Sequence, residues 1–251
     1  YFVSRQTIAI AIGAVAFLVA SRLPFELWRR LTLPLLVLAA VATLLALVLP
    51  VDPRYPAHRW IRLGGFSFQS VELLKFAFLV WLAGFLAQRV EAGLIRDSKK
   101  TLRPLMIALL SIGFVVAGVQ SDLGSMAVIV AMLGVVAFVS GLPIRRLLYG
   151  AAAVLLLGFA FIASTPYRRE RLATFMNPTA DCQNSGYQAC QALISIGSGG
   201  MFGLGLGRSV QAYGYLPEAA NDSIFAIYAE KFGFLGVAIL LALYAAFFGR
   251  L

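Results

Sequence analysis

Long apolar runs alternate with short polar connections along the whole chain. Seven runs stand out: 3–20, 31–50, 70–88, 104–120, 123–143, 147–165 and 223–248. About 20 mostly apolar residues in helical form cross a bilayer core about 30 Å thick. Inside lipid the backbone must satisfy its own N–H and C=O groups, so these runs predict helices rather than strands. The first run is interrupted only by Ser4, Arg5, Gln6 and Thr7, near its end. The expected fold class is all-α, a polytopic transmembrane helical bundle forming one membrane domain over 1–251. Neither an internal repeat nor a separate soluble domain is visible. The segment 166–222 stands apart. Connections of this length without regular structure are uncommon and usually functional or disordered. This one mixes aromatics, glycine and charge, and is expected to fold onto the membrane surface and partly re-enter it.

The polar connections differ in charge. One set holds Arg22, Arg29 and Arg30, then Arg89, Arg96, Lys99, Lys100 and Arg103, then Arg145 and Arg146, and finally Arg250. The opposite set is 51–69, a tight turn at 120–122, and 166–222. Of 21 lysines and arginines, 11 fall in the first set and eight outside it, while Lys75 and Lys231 lie within apolar runs. The positive-inside rule puts the first set in the cytoplasm, with Tyr1 outside and Leu251 inside.

Composition narrows the class. Hydrophobic residues make up 61% of the 251 and charged residues only 13%, against about a quarter charged in soluble domains. Mean hydropathy is +0.86. The formal charge of +10 does not signal nucleic acid, because the basic residues sit in short clusters between spans. Cys182 and Cys190 are the only cysteines, too few for a disulfide framework or a metal cluster. The chain starts at Tyr1 and stops directly after an apolar run, which reads as an internal stretch of a longer protein.

Five polar groups are candidates for chemistry. Residues 59–69 hold Arg59, Trp60 and Arg62, followed by Glu72 and Lys75. Arginines bind phosphate with paired donors, and Trp60 suits an interfacial belt. Glu72 and Lys75, three apart, share a helix face and can pair. A Lys or Asp at a span's centre costs about 2.5–3.5 kcal/mol on insertion scales. With a dozen apolar residues after Lys75, function is favoured over a snorkelling lysine. Asp122, in Gln120-Ser121-Asp122-Leu123-Gly124, is read first as a helix cap. In Tyr167-Arg168-Arg169-Glu170-Arg171, the arginines suit an anionic headgroup or pyrophosphate, and equally a solvated face. The glycines of 197–207 suit either a backbone cradle for phosphate or close helix packing. Asp222, ahead of the last run, suits a helix cap, slightly the better reading from the residues alone. Its alternative is a partly desolvated general base with a raised pKa.

Taken together, these segments resemble the SEDS family of cell-wall glycosyltransferases (shape, elongation, division and sporulation). The matching stretches are RWIRLGGFSFQSVELLK at 59–75, QSDLG at 120–124, RRERLATFMNP at 168–178, SGYQACQ at 185–191, IGSGGMFGLGLG at 196–207 and YLPEAANDSIFAIYAEKFGFLG at 215–236. GLGRSVQ at 205–211 with YLPEA after it is more similar to the division branch than to the elongation branch. The resemblance implies ten spans, of which this chain lacks the first and the last two. It implies polymerisation of lipid II outside the bacterial cytoplasmic membrane, at the division septum, beside a class B penicillin-binding protein and other divisome proteins. It carries the essential acid to Asp222, as base for the acceptor's 4-hydroxyl in an inverting transfer that releases undecaprenyl pyrophosphate. Substrate contacts are expected from Arg59, Trp60, Arg62, Glu72, Lys75, Arg168, Arg169, Arg171, Gln188, Ser198 and Glu218. A divalent cation, Mg²⁺ or Mn²⁺, is a further expectation at the pyrophosphate, with no cofactor certain.

The chain departs from the family pattern at several positions. Asn221-Asp222-Ser223 stands for the usual Thr-Asp-Phe, Ser121 for Pro, Thr179 for Trp, and Glu230-Lys231 for Glu-Glu. Asn221 becomes an extra hydrogen-bond donor near the acid. Cys182 and Cys190, outside the usual motif, are expected to form a disulfide in an oxidising compartment. Two other functions compete: a lipid II flippase and a scaffold without activity. A transporter binds near the midplane at broken, repeat-related helices, whereas charge and glycine here concentrate at one face.

Overall fold

The computed structural model describes residues 2–49, 60–63, 66–164, 166–184 and 186–250. Every predicted run is helical where described. They are α1 (Phe2–Arg22), α2 (Phe25–Val48), α3 (Ser70–Glu91), α4 (Arg103–Gly113), α5 (Leu123–Val139), α6 (Ile144–Ala163) and, after two further helices, α9 (Ile224–Phe248). Four segments among the described residues are long and apolar enough to cross a membrane: Phe25–Val48, Ser70–Glu91, Ser98–Val119 and Ile224–Phe248. Gln6–Arg22 and Leu123–Val139 are shorter apolar helices. The chain is a multi-pass membrane protein.

Two boundaries differ from expectation. α2 begins at Phe25 because Pro24, extended at φ −68° and ψ 150°, is its N-cap residue and Glu26 lies in the first turn, where the helix dipole favours an acid. Arg29 and Arg30 therefore lie inside the helix. The fourth span is not uniformly α: π-helical turns, Ser98–Leu102 and Phe114–Val119, flank α4.

The chain divides into two compact units, Tyr1–Ala153 and Val154–Leu251. In the first, α3 is the central element. Val71, Leu74, Ala77, Phe78, Leu82 and Leu86 are buried, recurring every three to four residues as a helix face requires. They form one core with Ala39 of α2, Leu105 and Leu109 of α4, and Ile129 and Ala137 of α5. Many apolar side chains of α1 and α2 remain exposed, as suits contact with acyl chains. Among the described residues the one departure from all-α structure is a hairpin, β1 (Trp60–Leu63) antiparallel to β2 (Phe66–Gln69), with Trp60 opposite Gln69. Gly64-Gly65 between two alternating runs is a hairpin signal.

In the second unit the connection 166–222 is folded, not irregular. It holds α7 (Pro166–Met176) and α8 (Tyr187–Gly199). Cys182 and Cys190 are joined as a disulfide with Cα atoms 5.6 Å apart. α8 lies along α9, and the glycine-rich segment enters a break in α9 at Gly233, where φ is 65° and ψ −167°.

Candidate functional site

The break in α9 organises the local structure around the candidate acid. A continuous helix would pair the Phe234 N–H with the Glu230 carbonyl and the Leu235 N–H with the Lys231 carbonyl. Here the Phe234 and Leu235 N–H groups donate instead to Gly200 (2.9 Å) and Met201 (3.1 Å). The freed carbonyls of Glu230 and Lys231 accept from Leu204 (2.8 Å) and Gly205 (3.0 Å). Gly203, at φ +81°, lies so close to the Lys231 backbone that a Cβ would collide with it. Gly199, whose Cβ position is likewise filled by the Ala229 backbone, and Gly203 thus serve close backbone packing, whereas Gly200 and Gly205 have open space at that position.

Beyond this junction the chain turns back to Asp222. Leu216 is buried against Ala226 and Ile227. The Ser223 hydroxyl donates to the Pro217 carbonyl (3.1 Å), and Gln188 of α8 donates to that hydroxyl (3.3 Å). Ser223, not Asp222, is the N-cap residue of α9. The cap reading of Asp222 is therefore corrected: α9 starts one residue too late for its carboxylate to serve as the cap. Asp222 is exposed and has no hydrogen-bond or ion-pair partner among the described residues.

Its carboxylate lines a groove of about 930 Å³. Glu170, Arg171, Thr174, Phe175 and Pro178 line it from α7 and the residues just after. Gln188, Ala189, Ala192 and Leu193 come from α8, and Ser223, Phe225 and Ala226 from the start of α9. Polar and apolar groups thus share one depression, which suits a ligand with a charged head and a greasy tail.

The groove gathers only part of the predicted set. Asp222, Arg171 and Gln188 line it; Arg169, Ser198 and Glu218 do not. Ser198 donates to the Ser195 carbonyl within α8 (2.9 Å). Glu218 accepts from the Asn221 amide (2.7 Å), so one of the two donors of Asn221 is used inside its own turn. Glu72 and Lys75 form the predicted pair, Oε1 to Nζ 2.7 Å, with Lys75 mostly buried. They and exposed Trp60 belong to the first unit. Arg59, and the side chains of Arg62 and Arg168, lie outside the described residues. Asp122 is the helix cap it was read as. It accepts from the Ser125 N–H (3.0 Å), the Ser125 hydroxyl (2.9 Å) and the Gln69 amide (3.2 Å), tying β2 to α5.

Comparison with known proteins settles the family. The model of the family described as "Cell cycle protein", covering FtsW, RodA and SpoVE, matches residues 1–251. The chain belongs to this family. A FtsW/RodA/SpoVE relative from Saccharophagus degradans, named probable peptidoglycan glycosyltransferase FtsW, is 40% identical over 100% of this chain and 64% of its own length. Stage V sporulation protein E of Bacillus subtilis is 33% identical over 100% of this chain and 68% of its own. The chain thus spans about two thirds of the length of these family members. Among solved structures, one described as structural coordination of polymerization and crosslinking by a peptidoglycan synthase complex matches with a TM-score of 0.75 at 29% identity. It covers 98% of this chain and 68% of that one. The rod shape determining protein RodA of Thermus thermophilus matches with a TM-score of 0.62 at 27% identity, covering 98% and 63%.

Within this FtsW/RodA/SpoVE chain, the residue that sequence reading passed over is Glu230. It was noted only as half of an altered pair, yet it is 1% exposed. Its one sequence signal is an acid, next to Lys231, inside a mostly apolar span. Ser121, where the family resemblance expects Pro, has φ 54°, a conformation closed to proline.

Proposed function

We propose that this chain is the core of a peptidoglycan glycosyltransferase that polymerises lipid II, with Asp222 as the general base. The observation that carries this is Asp222, without a side-chain partner among the described residues, lining a groove whose other residues are part polar and part apolar. A lipid-linked sugar pyrophosphate has the matching halves. The acceptor 4-hydroxyl loses its proton to Asp222 and its oxygen attacks the donor's anomeric carbon. The bond to the pyrophosphate breaks with inversion, and undecaprenyl pyrophosphate departs with its electron pair. Arg171 is the groove's own cation for that developing charge. Gln188 and Ser223 hold the edge beside the acid.

The groove lies outside the cell in this account. The positive-inside bias points that way, and a disulfide between Cys182 and Cys190 suits an oxidising compartment. The working partner is a class B penicillin-binding protein at the septum, among divisome proteins, in keeping with the names of the relatives and with the synthase complex. Mg²⁺ or Mn²⁺ enters only alongside the substrate. Among the described residues no group of three or more His, Cys, Asp or Glu is placed to hold a metal. Glu170 and Asp222 line the groove, and Mg²⁺ commonly binds one or two carboxylates plus substrate phosphates.

The break in α9 favours a second reading, a flippase, because transporters bind substrate at broken helices. In this chain, however, the backbone groups released by the break are taken by residues 200–205. None of these four groups is left to hold a substrate, which supports the polymerase. The test uses full-length protein with its partner and lipid II. Asp222→Ala is expected to abolish glycan polymer while leaving the protein folded. Normal polymerisation by that variant, or lipid II transport without polymer by the wild type, overturns the proposal.

A further inference from the structure

Glu230 is a carboxylate buried in the second unit with no cation beside it among the described residues. Taking such a group out of water costs several kcal/mol unless its oxygens are satisfied. Neutral donors satisfy them. Oε1 accepts from the backbone N–H groups of Val210 (3.0 Å) and Gln211 (3.3 Å). Oε2 accepts from the Ser209 hydroxyl at 2.6 Å and lies 3.5 Å from the Ser195 hydroxyl. Ser195 is on α8 and donates also to the Ala226 carbonyl of α9 (3.0 Å). One side chain therefore fastens residues 209–211 to α9, beside α8.

That attachment matters because of what the fastened segment leads to. The Gln211 carbonyl accepts from the Leu216 N–H (3.2 Å), and Leu216 is buried on Ala226 and Ile227. Pro217 then accepts from Ser223, next to Asp222. Residues 209–223 are thus pinned to α9 at both ends, and Glu230 is the far pin. We propose that Glu230 is a positioning residue that sets where Asp222 stands in the groove; this rests on the polymerase reading above.

The role needs oxygens in the right places rather than charge. In Glu230→Gln the amide oxygen takes the two N–H donors, and the NH₂ donates to hydroxyls that turn to accept it. In Glu230→Leu the volume is kept while Val210, Gln211 and Ser209 lose their acceptor.

The experiment measures lipid II polymerisation by the full-length protein with its penicillin-binding partner, across pH. Glu230→Leu, Glu230→Gln, Ser209→Ala and Asp222→Ala are compared with wild type, alongside amide exchange at Val210 and Gln211. Glu230→Leu is expected to lose about a hundredfold in kcat, the scale of a misplacement near 1 Å, with faster exchange at both amides. Glu230→Gln is expected to restore kcat with an unaltered pH profile. Should Glu230→Leu fail to fold, Ser209→Ala carries the test, with an expected partial loss of kcat in a folded protein. A folded Glu230→Leu with full activity, an unchanged kcat in Ser209→Ala, or a Glu230→Gln as inactive as the leucine variant overturns the positioning role. Full activity of Asp222→Ala overturns the polymerase reading instead, so the two failures are distinguishable.

Discussion

At Gly233 the backbone takes φ 65° and ψ −167°, a region essentially closed to residues with a Cβ. A methyl there would also strike the backbone of Met201 and Gly203. Gly233→Ala is therefore expected to destabilise the protein by at least about 1–3 kcal/mol, read as a lower Tm, with weakened amide protection at Leu204 and Gly205. Asp122 makes a similar case in the first unit. It is 6% exposed and supports Ser125 and Gln69, so Asp122→Ala is expected to cost about 1–3 kcal/mol through the unpaired donors it leaves. A denaturation midpoint in detergent checks both. Asp122 was legible as a cap because an acid beside a tight turn and a following apolar run is a local pattern. Asp222 has a similar local pattern and is not a cap, because Ser223 occupies that place. Glu230 was hidden because its partners lie 19 to 21 residues earlier in the chain, with Ser195 earlier still, and no local pattern reveals such a contact.

The spanning helices were readable at the level of elements, since lipid forces backbone groups to pair within each apolar run. The connection 166–222 was not, because its helices are short and α8 takes its support from α9 and a cross-link. Cys182–Cys190 closes the turn leading into α8, whose first residues include Gln188. Replacing both cysteines by serine is expected to cost about 2–3 kcal/mol by loop-closure entropy, read as earlier proteolysis between α7 and α8 while α3 stays protected. A second element-level prediction concerns Asp97 in the basic connection between α3 and α4. Hydrogen bonds from the Lys100 and Lys99 backbone, with smaller help from their charges, hold its carboxyl below the ordinary aspartate value. A depressed folded value means that its contribution is complete above the unfolded pKa, near 4, and is lost as pH falls through the folded one. Asp97→Asn is expected to flatten that acid limb, measured as Tm against pH, because a neutral cap does not titrate.

On the scale of the whole molecule, the order of six motifs identified the family, and the match over residues 1–251 bears this out. The sequence could not tell which distant polar groups share a depression. Arg171, Gln188 and Asp222 do, while Ser198 and Glu218 are engaged in local turns. The central claim is that lipid II lies in the groove and reacts at Asp222. It is tested most directly with a photo-crosslinking side chain at Phe225, in full-length protein bearing either Asp222 or Asp222→Ala. Both forms are expected to capture labelled lipid II, and only the form with Asp222 to extend it into glycan. Absence of capture from Phe225 in both forms, or polymer from the alanine form, would contradict the account.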